Sequence, residues 1–168
     1  ADSSANGWSD AGIILVWELY QQYGDREIIR DNLSAMCRYM DYLVDTSDDF
    51  IRTHPGYSDH NAMSTLDDDI INTAQCAYVA KLLSKMSADI GENDIAKKYD
   101  MVYNQYKKAW QERYINEDGS IDCWIQAAYA LGLAYGLYPE ELEAQGAACL
   151  NTAVAANDYH LNTGYIGT

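Results

Sequence analysis

Proline is scarce in this chain, at two of 168 residues, and so few helix breakers suit a helical protein. Basic residues are few as well. Eleven Lys and Arg stand against 26 Asp and Glu, a formal net charge of −15. A field of that sign repels phosphate backbones and anionic lipid, which argues against nucleic acid or a membrane surface as a partner. Long hydrophobic runs are missing too: none is longer than Ile13 to Trp17, far short of the ~20 residues needed to span a bilayer. No basic stretch followed by an apolar one opens the chain, so no export signal is read from it. What is present is ordinary for a globular protein, with 48% hydrophobic and 22% charged residues, which excludes disordered and collagen-like chains. The length suits roughly one domain of about 100–200 residues.

The common chemical motifs are also absent. Cys37, Cys76, Cys123 and Cys149 are widely spaced, which excludes a zinc ribbon and a thioredoxin-type pair. Cys37, Cys76 and Cys149 fall inside helical apolar patterns, where a reduced thiol packs as a small hydrophobe. There is no His-Glu-x-x-His, no phosphate-binding Gly-Lys-Ser/Thr loop and no Gly-x-Gly-x-x-Gly. Asn32-Leu33-Ser34 matches a glycosylation sequon but falls within a helix. Asp67, Asp68 and Asp69 fail the calcium-loop spacing and read as an acidic helix start. No metal and no cofactor is implied.

Fifteen tyrosines and four tryptophans accompany a single phenylalanine. Aromatic surface with polar handles suits a sugar-binding cleft, although tyrosine also fills helix interfaces. Six helical segments are legible, with almost no strand signal. The first, from about Asp10 to Tyr23, is apolar nearly all round, and such a helix is buried on every side. The second, to about Asp45, carries the one-sided stripe Ile29, Leu33, Met36, Met40, Leu43. The third (about Asp67 to Ile90) and fifth (about Trp124 to Tyr135) are again apolar all round. The fourth and sixth are amphipathic, with Lys97, Lys98, Lys107 and Lys108 behind the fourth and Pro139 near the first turn of the sixth.

The order is therefore buried, amphipathic, three times over. Tight turns at Gly24, Gly91 and Gly136 lead from each buried helix to its amphipathic partner. Longer connections, Thr46 to Leu66, Asn116 to Cys123, and Asn157 onward, run the other way. An up-down bundle would show one-sided stripes throughout, and the signature of a tetratricopeptide solenoid is missing. Inner helices wrapped by outer ones fit the pattern: an all-α, partial (α/α)6 toroid of about three helical hairpins. Three hairpins do not close such a ring, so residues 1–168 read as a fragment of one α/α-toroid domain. Its open flanks would meet the rest of a parent chain or a second copy.

Function concentrates on loops held by a rigid scaffold, and the unusual residues here share the long-loop end. They are Gly7-Trp8-Ser9-Asp10, the segment His54 to Asn61, the segment Asp118 to Gln126, and Tyr159 to Thr168. Aromatics beside Asp, Asn, Gln and His offer a pyranose a ring to stack on and partners for its hydroxyls. Plainer roles stand beside these. Asp10 also reads as a helix N-cap, Asn116 to Gly119 as a turn, and Gly164 and Gly167 as permitting a tight backbone path.

Gly7-Trp8-Ser9-Asp10-Ala11, followed by Ile13 to Tyr20 and Tyr23-Gly24-Asp25, resembles the middle of the catalytic domain of bacterial α-L-rhamnosidases, glycoside hydrolase family 78. The likeness continues through Ile71-Asn72-Thr73-Ala74, Gln126 to Leu131, Gly136 to Glu141 and Leu161 to Thr168, in the family's order. The resemblance implies a six-hairpin barrel that releases terminal α-L-rhamnose with inversion. It also implies that the catalytic acid and base lie outside this chain, since neither the family's Asp/Arg/Glu-rich motif nor its Thr-Thr-x-Trp-Glu segment occurs. What carries over is a substrate-binding set: Trp8, Asp10, Asp59, His60, Gln126 and Tyr165, with no catalytic residue and no metal ligand. One departure is plain: the family reads Gly-Asp-Trp where this chain has Ser58-Asp59-His60, so a stacking face is replaced by imidazole. The expected partner is a rhamnoside carbohydrate, and the resemblance leans toward a secreted or periplasmic setting. The competing readings are another six-hairpin glycosidase, or a non-catalytic helical carbohydrate-binding or interaction module.

Overall fold

A computed structural model of the chain describes residues 5–64 and 66–168. Its helices are α1 (Ala11–Tyr23), α2 (Glu27–Asp45), α3 (Asp68–Asp89), α4 (Asn93–Tyr114), α5 (Gln126–Ala134) and α6 (Glu143–Ala156), with a 3-10 turn at Glu140–Leu142 leading into α6. Among the described residues no strand forms, only isolated bridges between Asp48 and Ile51 and between Ile115 and Ile121. Each tight turn carries a glycine at positive φ: Gly24 at 68°, Gly91 at 87° and Gly136 at 71°. At α1 the Gly24 N–H returns to the Tyr20 carbonyl, the usual way a left-handed glycine ends a helix.

α3 is the centre of the molecule and packs against α1, α2, α4 and α5. Its buried residues, running from Ile70 to Ser87, occupy every face, as its all-round apolar pattern requires. The outer helices α2 and α4 each bury one face. α2 buries Ile29, Met36, Met40 and Leu43, and α4 buries Ala96, Tyr99, Val102, Tyr106 and Trp110. The buried hydroxyls and indole of α4 are spent on neighbouring backbone. Tyr99 and Tyr106 donate to the Cys37 and Leu43 carbonyls at 3.1 Å each, and Trp110 Nε1 donates to the Ile70 carbonyl at 3.0 Å. All four cysteines are free thiols that join or pack against this core, Cys76 fully buried within it.

Two inner helices differ from the sequence expectation. α1 buries only Ile13 and Val16, and Leu15 is 57% exposed. The cause is position: among the described residues α1 packs chiefly against α2 and α3, and Leu15 lines an open cavity instead of a core. α5 starts at Gln126 rather than Trp124, because Ile125 is extended at φ −108°, ψ 123°. The three inner helices lie in a row with α3 in the middle, and the long connections that precede them meet at one end. That shared end makes α1, α3 and α5 run parallel, with α2, α4 and α6 returning outside them: an arc of an (α/α)6 toroid. On the inner side of the arc, Ile14, Glu18, Gln75, Tyr78, Tyr135 and Tyr165 help line an open cavity of about 500 Å³.

Candidate functional site

The end of the arc where the long connections converge is built around Trp8. Its indole lies nearly parallel to the Tyr165 ring, with centroids 5.4 Å apart and planes at 15°. His60 and Tyr57 present their edges to the same indole at 5.6 and 5.9 Å. Aromatic pairs adopt these offset-stacked and edge-on arrangements because of the ring quadrupole. The cluster stays open to solvent: Trp8 is 43% exposed, Tyr57 63% and Tyr165 68%. Of the residues singled out from sequence, the structure therefore brings Trp8, His60 and Tyr165 together on an exposed surface. Tyr57, which falls in the long-loop segment His54 to Asn61 but outside the substrate-binding set, completes it.

Asp10, Asp59 and Gln126 lie beneath that surface, at 0%, 4% and 1% exposure, and all three are occupied. Asp10 sits at the N-cap position of α1 but makes no capping bond there. Its carboxylate turns back to accept from the Gly7 N–H at 2.6 Å, the Tyr39 hydroxyl at 2.7 Å and Asn6 Nδ2 at 3.3 Å. It thereby holds the backbone that carries Trp8. Burial pushes the Asp10 carboxyl above its ordinary 3.8, against the opposing pull of these donors and of the Arg52 charge. The Tyr39 hydroxyl is pushed up as well, first by burial and then by the facing Asp10 charge.

Asp59 accepts from three backbone amides of the C-terminal segment: Gly164 at 2.6 Å, Ile166 at 2.8 Å and Gly167 at 3.0 Å. Gln126 grips the same segment further up, donating to the His160 carbonyl at 3.0 Å and accepting from the Asn162 N–H at 3.3 Å. Two backbone bonds complete the join, from Tyr165 N to the His60 carbonyl at 2.8 Å and from Met63 N to the Asn162 carbonyl at 3.1 Å. Gly167 must be glycine here, since a Cβ would lie 2.6 Å from Asp59 Oδ2 and 2.5 Å from Ala127 Cβ.

Arg52, which nothing in the sequence reading marked, is fully buried behind the site. Its Nε donates to Asn6 Oδ1 at 3.2 Å, its Nη1 to the Thr46 carbonyl at 3.0 Å and to Thr46 Oγ1, and its own N–H to Thr73 Oγ1 at 2.9 Å. The guanidinium thus ties the N-terminal segment to the end of α2, and its backbone ties the chain to α3. A buried charge of this kind is retained only when hydrogen-bonded. No sequence pattern announces it, because a lone arginine in a loop is usually solvated.

The remaining expectations resolve as local structure. Asn116 to Gly119 is a turn, closed by Gly119 N to the Asn116 carbonyl at 2.9 Å and Asn116 N to the Ser120 carbonyl at 2.8 Å. Asp68 and Asp69 fall in the first turn of α3. Among the described residues, no group of three or more His, Cys, Asp or Glu is placed to hold a metal ion, and no helix is long and apolar enough to cross a membrane.

Similarity to known proteins bears on the family and the fold. An alpha-L-rhamnosidase of Streptomyces avermitilis is 36% identical over 163 residues, 96% of this chain but 16% of its own length. A second, from an Alteromonas species, is 29% identical, covering 98% of this chain and 19% of its own. The crystal structure of the Streptomyces avermitilis enzyme complexed with L-rhamnose superimposes with a TM-score of 0.94 over 98% of this chain and 16% of that one. The alpha-L-rhamnosidase from Dictyoglumus thermophilum, 24% identical, shares the fold, with a TM-score of 0.88 over 97% of this chain and 20% of its own. The chain thus spans 16–19% of the length of these curated relatives. The family model described as the bacterial alpha-L-rhamnosidase 6 hairpin glycosidase domain matches residues 2–168, and the chain belongs to that family.

Proposed function

We propose that residues 1–168 form three of the hairpins of a larger six-hairpin glycosidase domain and supply part of its sugar-binding end. The substrate class is a glycoside with a terminal α-L-rhamnose, cleaved with inversion by a carboxyl pair carried elsewhere in the longer protein. The observation that carries this reading is the exposed stack of Trp8 on Tyr165, edged by His60 and Tyr57, at the end where the loops before α1, α3 and α5 converge. A pyranose binds through one apolar ring face and through polar groups around its edge, and this surface offers both. Family membership and the rhamnose complex of the Streptomyces avermitilis relative support the choice of sugar.

The two buried carboxylates at this end support placing the chemistry outside these residues. An inverting pair flanks the sugar at roughly 6.5–9.5 Å, leaving room for the attacking water. Asp10 and Asp59 are buried and already accept backbone N–H groups, so neither is free to protonate a leaving group or activate water. In this reading Trp8, His60 and Tyr165 face the sugar, and Asp10, Asp59 and Gln126 serve the binding surface from behind. His60, standing where the family usually has tryptophan, gives a smaller ring and an added hydrogen-bonding nitrogen.

The test is a titration of the intact protein with L-rhamnose, followed by tryptophan fluorescence. A saturable change that Trp8→Ala abolishes is the expected result. The same saturable binding, undiminished in Trp8→Ala and in Tyr165→Ala, would remove the sugar from this surface.

A further inference from the structure

We infer that Asp59 is the positioning residue that assembles the sugar-facing stack, acting through Tyr165 rather than on the sugar; the inference rests on the sugar-binding reading above. Tyr165 belongs to a segment with no regular secondary structure, at the far end of the sequence from Trp8. A tyrosine that is 68% exposed has little packing to fix it, so its ring position must come from its backbone. That backbone is held on both sides of Tyr165, by Gly164 N and by Ile166 N and Gly167 N, and all three donate to the one Asp59 carboxylate. Charge-assisted bonds of this kind are roughly twice as strong as neutral ones and fix direction as well. The Tyr165 N–H itself goes to the carbonyl of His60, the residue after Asp59. One short loop therefore sets two of the rings around Trp8: it carries His60 directly and holds Tyr165 through the carboxylate next door.

The shape of that loop supports the same assignment. Ser58 and Asn61 sit at φ 51° and 66°, a left-handed backbone that costs a non-glycine residue energy and persists only where the surroundings impose it. The two strained residues bracket Asp59 and His60. Gly164 reaches so close that a Cβ there would run into the carbonyl oxygens of Asp59 and His60 and stand 2.6 Å from Ala62 N. Strain in one loop and glycine in the other allow the contact between them, and Asp59 is the acceptor at its centre.

The experiment is a double-mutant cycle in the intact protein, with L-rhamnose affinity as the readout and the melting temperature recorded alongside. Asp59→Asn keeps the size of the side chain but sets an N–H₂ against backbone donors. It should weaken binding by about ten-fold in the wild type and by less than about two-fold in Tyr165→Ala, because coupled residues are non-additive. Gly164→Ala displaces the same segment without altering the carboxylate and should show the same dependence on Tyr165. If Asp59→Asn and Gly164→Ala weaken binding equally with and without the Tyr165 ring, or if both lose the fold, Asp59 is a general fold element and the inference fails. If Tyr165→Ala and Trp8→Ala leave binding intact, the sugar-binding reading fails instead, so the two failures are told apart.

Discussion

Trp8→Ala separates ring stacking from packing. The ring is 43% exposed, so its removal should cost the fold little, whereas a stacked aromatic contact is worth about 0.5–1.5 kcal/mol beyond area burial, and misplacing a substrate costs as much as ~10²-fold in rate. The intact protein should show a raised KM and lowered kcat for an aryl α-L-rhamnoside, with a nearly unchanged melting temperature; normal kinetics with a large loss of melting temperature would make Trp8 a packing residue. Asp10 calls for a different measurement. Burial raises its carboxyl above 3.8, so the folded chain favours the protonated form more than the unfolded chain does. Its contribution to stability is full below pH 3.8 and is lost as pH rises through the raised folded value. The melting-temperature advantage of wild type over Asp10→Asn should therefore shrink from acid toward neutral pH, a difference in which carboxyls common to both proteins cancel. The chemistry of both residues was legible in the sequence, since a Trp and an Asp before an apolar helix stand out. What was not legible is direction: Asp10 reads equally well as a cap, and only the fold shows its carboxylate turned back onto Gly7. The pairing of Arg52 with Asn6 was not legible at all, because it joins distant segments through a loop without pattern.

Two helix glycines should answer alanine with opposite signs. Gly12 lies in α1, where a Cβ would meet nothing within 4 Å, so Gly12→Ala should gain about 0.5–1 kcal/mol from reduced backbone entropy. Gly132 lies in α5 against the Trp110 and Tyr138 rings, at 2.7 and 2.9 Å from a built Cβ. Overpacking costs typically about 1–3 kcal/mol, enough to outweigh the helix propensity gained, so Gly132→Ala should lower the denaturation midpoint while Gly12→Ala raises it. The alternation of buried and amphipathic helices was readable because the 3.6-residue period reports which faces are covered. It overstates α1, since an apolar pattern records a helix made to be surrounded, and among the described residues α1 packs chiefly against α2 and α3. It also overstates α5, because Trp124 and Ile125 continue the apolar run while Ile125 takes an extended backbone.

At the scale of the molecule, three hairpins leave an arc with an open inner face, and the two buried carboxylates at its convergent end, Asp10 and Asp59, are already held by backbone N–H groups. Enzymatic accelerations of 10⁶-fold and more require an acid and a base, which the proposed function assigns to the longer protein, so the isolated 168-residue chain should release no aryl α-L-rhamnoside product above background. Turnover abolished by Asp10→Asn or Asp59→Asn would place the catalytic pair inside it. The arc also reverses the usual rule about where a protein tolerates extra sequence. Connections of greater length are ordinarily the permissive ones, yet here they are knitted together by Asp59, Gln126 and Arg52. The turns at Gly24 and Gly91 face open space, with nothing within 4 Å of a built Cβ. Lengthening a free turn costs only about 0.6 kcal/mol for each doubling. A tag, a protease site or an engineered break should therefore be accepted at Gly24 or Gly91 with little change in melting temperature, while the same insertion between Asp59 and Ala62 should unpick the whole upper rim. For anyone dividing this arc into separately expressed pieces, the seams lie at the turns of Gly24 and Gly91, not at Gly136, which Lys81 and Tyr103 crowd.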